Sequence, residues 1–300
     1  MENLFIAKEK DKIIQFIEEV IGYKCEKIKK EINNGVVVNQ VCVFLAKTES
    51  VTVDFDEIKY FSNILWASSL NIEDTAVQIK KRLMDLWKKN LVSEPVINKE
   101  RILKNTRKCV INYELNKERL ERLNIVYKRY LDFAIVYRVF KTDEHKSTKN
   151  SDDLLISYDH LTKYELTEEA LELVTDKNKD KFLLIQLKTI MEQNCIELVG
   201  ENFLTVGTNA EQSYGAGILT DLDKISKYSI EHDTDLIIFP SSVHEVLFLE
   251  YEDNHYNRSM LNNYIDTVKT INATQVDQED FLSNHIYLYK RDDYKLHIIE

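Results

Sequence analysis

Three hundred residues, 44% of them hydrophobic, are enough to bury one large core or two ordinary ones, which excludes a disordered chain. The net charge of −11 is spread unevenly: residues 1–150 carry 28 Lys and Arg against 22 Asp and Glu, and residues 151–300 carry 12 against 29. No uncharged apolar run reaches about eighteen residues, and the opening MENLFIAKEKDKIIQF lacks the layout of a secretory signal, so the expectation is a cytoplasmic protein without a membrane span.

In chain order, Ile13, Ile14, Phe16, Ile17, Val20 and Ile21 recur at helical spacing over 8–21, predicting an amphipathic helix that stops near Gly22. From Gly35 the β-branched GVVVNQVCVFLAKTESVTVDF predicts a meander of two or three strands, followed by a helix at about 56–66. Residues 72–87 predict a helix capped by Asn71 or Asp74, with Ile72, Val77, Ile79, Leu83, Leu86 and Trp87 on its apolar stripe, and Pro95 closes that unit. Residues 98–123 predict one or two basic helices. LDFAIVYRVF from 131 reads as a strand buried on both faces, and 141–153 as a hairpin tip returning to a strand at 154–158. Thr167 is the expected N-cap of a long helical region, with acids in its first turn.

The last hundred residues predict a strand at NFLTVGT, a loop and helix through YGAGILTDLDKISKYSIEH, and strands at DLIIFP and HEVLFLEY. A helix at about 256–272 and a hairpin turning at 291–293 complete the module. The expected class is α+β, with helices packed on mixed or antiparallel sheets, divided into a mixed region at 1–197 and an acidic module at 198–300.

Four cysteines, Cys25, Cys42, Cys109 and Cys195, lack CxxC spacing and read as buried thiols; no histidine spacing marks a metal, and no cofactor is expected. Ser241, Ser242, His244 and Glu245, between two predicted strands, hold the residue types of a hydrolytic triad. They lack a GxSxG elbow, and neighbours 244 and 245 face opposite ways on a strand. Gly215 and Gly217 precede a helix and could offer amides to an anion, although the fingerprint of dinucleotide or P-loop binding is incomplete. Between 101 and 141, Arg107, Lys108, Arg119, Arg122, Lys128 and Arg129 alternate with tyrosines, as a phosphate-tracking surface would require.

NNGVVVNQVCVF, VINYELNKERLE, RYLDFAIVYRVF, ISYDHL, FLTVGT with YGAGIL, FPSSVHEVLFL, and TINATQV with EDFLSNHIYLY follow one another over most of the chain. In this order they resemble a bacterial domain-of-unknown-function family, number 5688, of the Firmicutes. The resemblance implies a full-length fold shared by small cytoplasmic proteins and carries no activity, substrate or site residue with it. The turn AEQSYGAG is longer here than in the family pattern.

The leading expectation is a non-enzymatic interaction or regulatory protein. It would act on a protein or nucleoprotein partner through its polarised charge, as an inhibitor of a nucleic-acid-targeting defence complex borne on a mobile element would. The alternatives are a hydrolase using Ser241 or Ser242 with His244 and Glu245, and direct nucleic-acid binding through 101–141.

Overall fold

A computed structural model describes residues 10–66, 70–92, 97–140, 155–177, 182–193, 204–251 and 258–299. The architecture is α+β, with three antiparallel sheets among the described residues. The backbone divides into two compact units, residues 1–31 with 37–95, and residues 32–36 with 96–300.

In the first unit, α1 covers residues 10–21, its last turn (Ile17–Ile21) widening to π-helical geometry before Gly22 ends it at φ 81°. The sheet is β1 (Lys24–Glu31), β2 (Val37–Ala46) and β3 (Glu49–Val53) in that order. β1 is absent from the sequence expectation because KCEKIKKE is an edge strand with little apolar alternation, its Ile28 exposed. Val51 and Val53 of β3 point inward while Thr52 faces out, the period of two that buries one face. Over that face lie α2 (Phe55–Leu65) and α3 (Ile72–Val92), which share a core of Ile13, Ile17, Val41, Val43, Phe61, Ile79 and Leu83. Asn71 caps α3 by accepting from the Asp74 amide at 2.8 Å. The α3 stripe is narrower than the sequence suggests: Ile79 and Leu83 are fully buried, whereas Ile72 and Val77 are about two-thirds exposed at 67% and 66%. Pro95 lies outside the described residues.

The second unit opens with α4 (Lys99–Asn105), β4 (Thr106–Asn112), α5 (Tyr113–Arg122), β5 (Tyr127–Tyr130) and β6 (Phe133–Val139). The expected pair of basic helices is therefore interrupted by a strand. Cys109, Val110 and Ile111 are all buried in it, so tertiary packing overrides the charge pattern of its neighbours. β6 lies between β4 and β5 and is buried nearly throughout, as its apolar run requires. The hairpin tip falls outside the described residues, and the return is a single bridge from Arg138 to Leu155 plus the Ile156 amide on Tyr137 O at 2.9 Å. Next come α6 (Tyr158–Tyr164) and α7 (Glu168–Lys177), the latter capped by Thr167 through the Ala170 amide at 3.2 Å. The helical region then breaks at β7 (Phe182–Gln186) before α8 (Leu187–Gln193), because Phe182 is needed in the core of the second unit.

β8 (Leu204–Asn209), α9 (Leu222–Glu231), β9 (Asp235–Ser242), β10 (Glu245–Tyr251), α10 (Arg258–Thr274), β11 (Ile286–Lys290) and β12 (Lys295–Ile299) complete the unit. The six-stranded sheet runs β12-β11-β9-β10-β8-β7. Strand alternation gives it two buried faces. Leu236, Ile238, Val246, Phe248, Tyr287 and Tyr289 share a core with Val110, Phe133 and Ile218, while Ile237 and Ile286 meet Val268 of α10. Among the described residues no helix is long and apolar enough to cross a membrane.

One carboxylate ties α7 to the three-stranded sheet. Burial alone would raise the Glu172 pKa, but hydrogen bonds from Lys108, Lys128 and Tyr137 outweigh it and hold the group at about 2. A depressed carboxyl stabilises the fold fully above its unfolded value of about 4.3, and that contribution drains away as pH falls toward 2. Glu172→Gln should accordingly cost about 2 kcal/mol at neutral pH and almost nothing near pH 2, as urea titrations at the two pH values would measure.

Candidate functional site

Residues 241–245 form the turn between β9 and β10. Pairing of β9 with β11 ends at Ile238, so Pro240, which has no amide to donate, interrupts no ladder on that side. A register shift between Glu245 and Val246 lets the turn close. Within it, the Ser242 hydroxyl accepts from the His244 amide at 3.0 Å, and Ser241 Oγ donates to Glu245 Oε1 at 3.4 Å. The His244 ring is occupied at both nitrogens. Nδ1 accepts from the Tyr214 amide at 3.1 Å, which places the proton on Nε2, and Nε2 donates to Asp280 Oδ1 at 3.0 Å. Thr208 donates to the His244 carbonyl at 2.9 Å, and the Val243 amide to the Asp280 carbonyl at 2.9 Å. The four sequence candidates are thus neighbours, but neither serine is hydrogen-bonded to the imidazole. The arrangement clamps the turn to the 3-10 helix Gly215–Thr220 and to the short turn Gln278–Asp280.

Gly215 and Gly217 are needed for close approach. A Cβ at Gly215 would stand 2.5 Å from the His244 carbonyl and 2.5 Å from Thr208 Oγ1, and one at Gly217 would stand 2.4 Å from the Lys108 carbonyl. Both residues are buried, and the amides of Ala216 and Gly217 are bonded to Val243 O and Tyr214 O.

The basic stretch is dispersed. Arg107 is buried at 5% exposure, forked onto Glu211 at 2.7 and 2.8 Å and stacked over Phe140; Arg119 is buried at 2% and donates to Asn116. Lys108 and Lys128 converge on Glu172, and Arg129 lies over the Tyr113 ring. Arg122, Lys128 and Arg129 are the exposed ones of the six. The six therefore do not make one continuous face.

The thiols are quiet: Cys109 is fully buried, and burial pushes it and Cys25 up to about 12. Cys195 and His255 lie outside the described residues. His160, His232 and His297 are bonded to Ser157, Glu250 and Asp293.

The structure assembles one group that sequence reasoning passed over. Asp132, in the turn between β5 and β6, accepts from Tyr287 Oη at 2.7 Å on one oxygen. Its other oxygen takes Ser283 Oγ at 2.6 Å and His285 Nδ1 at 3.0 Å. Tyr287 and Ser283 are buried, while His285 is half-exposed. Burial and the Asp132 charge drive the Tyr287 phenol upward, so it remains a donor. A carboxylate can only accept, so His285 carries a proton on Nδ1, and in the neutral ring Nε2 is then a lone-pair acceptor. His285 lines an open cleft of about 510 Å³ with Asn262, Ile265, Asp266, Lys269, Asn284 and Ile299. FLSNHIYLY carries three members of the group, but the fourth is 153 residues away, and only the fold makes that pairing visible. Among the described residues no three His, Cys, Asp or Glu side chains gather as a metal-ligand set.

No curated protein and no solved structure matches the chain. A family model described as a family of unknown function, DUF5688, matches residues 3–291, nearly the whole length. The chain belongs to that family.

Proposed function

We propose that this protein acts by binding a basic protein or nucleoprotein through the acidic half of its chain, without catalysing a reaction of its own. The observation that carries the reading is the outer face of α7. Leu173 is 64% exposed there, and Glu169 and Asp176, both exposed, stand one turn before and one turn after it. Burying such a leucine against a partner contributes about 2 kcal/mol, and carboxylates around it steer a basic surface and reject an acidic one. The bonded state of Ser241, Ser242 and His244 supports the same reading, since their polar atoms serve the fold.

The test is affinity capture by the purified protein at low and moderate ionic strength, alongside Leu173→Arg and the double variant Glu169→Lys/Asp176→Lys. The expected result is a basic partner retained by the wild type at low salt, released as salt screens the carboxylates, and absent from both variants. Capture that is equal in all three proteins at every salt concentration would refute the proposal.

A further inference from the structure

The cleft beside α10 is distinct from the α7 face and carries a different chemistry. Three features of its lining are open to a ligand. His285 is fixed through Nδ1 to Asp132 at 3.0 Å, and its Nε2 has no partner among the described residues. Asp266 and Lys269, both exposed, lie three residues apart on α10, yet neither forms an ion pair with the other or with any described residue. Ile265 and Ile299 supply apolar wall to the same space.

We propose that this cleft binds a small zwitterion of the free amino acid class, its ammonium held by Asp266 and His285 Nε2 and its carboxylate by Lys269. The reasoning is by complementarity of charge. A neutral imidazole acceptor beside a carboxylate calls for a cationic donor, and the ammonium of Lys269 calls for an anion. A simple anion would meet Asp266, and a simple cation would meet Lys269; a molecule bearing both charges satisfies all three groups. A metal ion fits poorly, because among the described residues no third ligand joins His285 and Asp266. The volume of about 510 Å³ lies within the range of small-molecule sites, with room for a side chain against the two isoleucines. Asp132 is a positioning residue here: it fixes the tautomer and the ring direction and does not touch the ligand.

The experiment is titration of the full-length, histidine-labelled protein with each of the twenty free amino acids, following the ring signals of His285 by NMR. At least one amino acid should shift His285 along a saturable curve, leave His244 and His160 in place, and bind about tenfold more weakly to Lys269→Met and to Asp266→Asn. Both substitutions are at exposed positions and leave the core untouched. The Leu173→Arg variant should bind like the wild type, which separates this site from the interaction surface. Absence of any saturable shift up to tens of millimolar, or affinity unchanged in both α10 variants, would overturn the proposal.

Discussion

Gly215→Ala is expected to be among the most damaging single-methyl additions in the protein, costing about 3 kcal/mol or more. The new Cβ would be 2.5 Å from both the His244 carbonyl and Thr208 Oγ1, and 2.7 Å from Thr208 Cα, so backbone of β8 and of the β9–β10 turn has to move. Side-chain rotation cannot relieve the overlap. The same movement stretches the bond from the Tyr214 amide to His244 Nδ1, so the imidazole loses the contact that fixes its tautomer. Gly35→Ala is the matched control: its φ of 69° strains alanine, but no atom lies within 4 Å of the added Cβ, and the cost should stay near 1 kcal/mol. Chemical denaturation of the two variants should rank them in that order, and equal midpoints would remove the clamp from the account.

Asp132→Ala should cost about 3–5 kcal/mol. The carboxylate receives three donors at 2.6, 2.7 and 3.0 Å, and two of them, Ser283 and Tyr287, are buried where water cannot replace it. Truncation strands both hydroxyls, each at a penalty of about 1–3 kcal/mol. Tyr287→Phe removes one stranded group, so the double variant Asp132→Ala/Tyr287→Phe should lose clearly less than the sum of the singles. Strict additivity would mean that the 2.7 Å contact contributes nothing.

Elements whose burial is written into local pattern were legible in the sequence. β6 reads as an apolar run because it is a central strand, and β8 through β12 alternate because the six-stranded sheet buries different residues on its two faces. The caps at Asn71 and Thr167 are local chemistry and fall at those residues. β1, β4 and β5 were hidden for opposite reasons. KCEKIKKE and YKRY are largely solvent-exposed and carry little apolar signal, whereas TRKCVIN is buried yet flanked by helix-forming, charged neighbours. In the same way, the charges of 101–141 are a sequence cluster without being a surface, because Arg107 and Arg119 turn inward and Lys108 and Lys128 share one carboxylate.

The candidate sites divide along similar lines. Residues 241–245 were visible because they are adjacent, yet their adjacency reflects a turn that satisfies its own polar groups. Asp132 and His285 were not visible as a pair because nothing local connects a turn residue after β5 to a residue preceding β11. Spatial pairing between neighbouring sheets was the missing information, and the motif FLSNHIYLY marked only half of it.

The most direct measurement of the central claim, that 241–245 hold the fold and do not react, is exposure of the folded protein to a fluorophosphonate probe followed by intact-mass and peptide analysis. The account predicts no adduct on Ser241 or Ser242, together with a lowered melting temperature for His244→Gln as its bonds to Tyr214 and Asp280 are lost. A stoichiometric adduct on either serine that disappears in His244→Gln would contradict it.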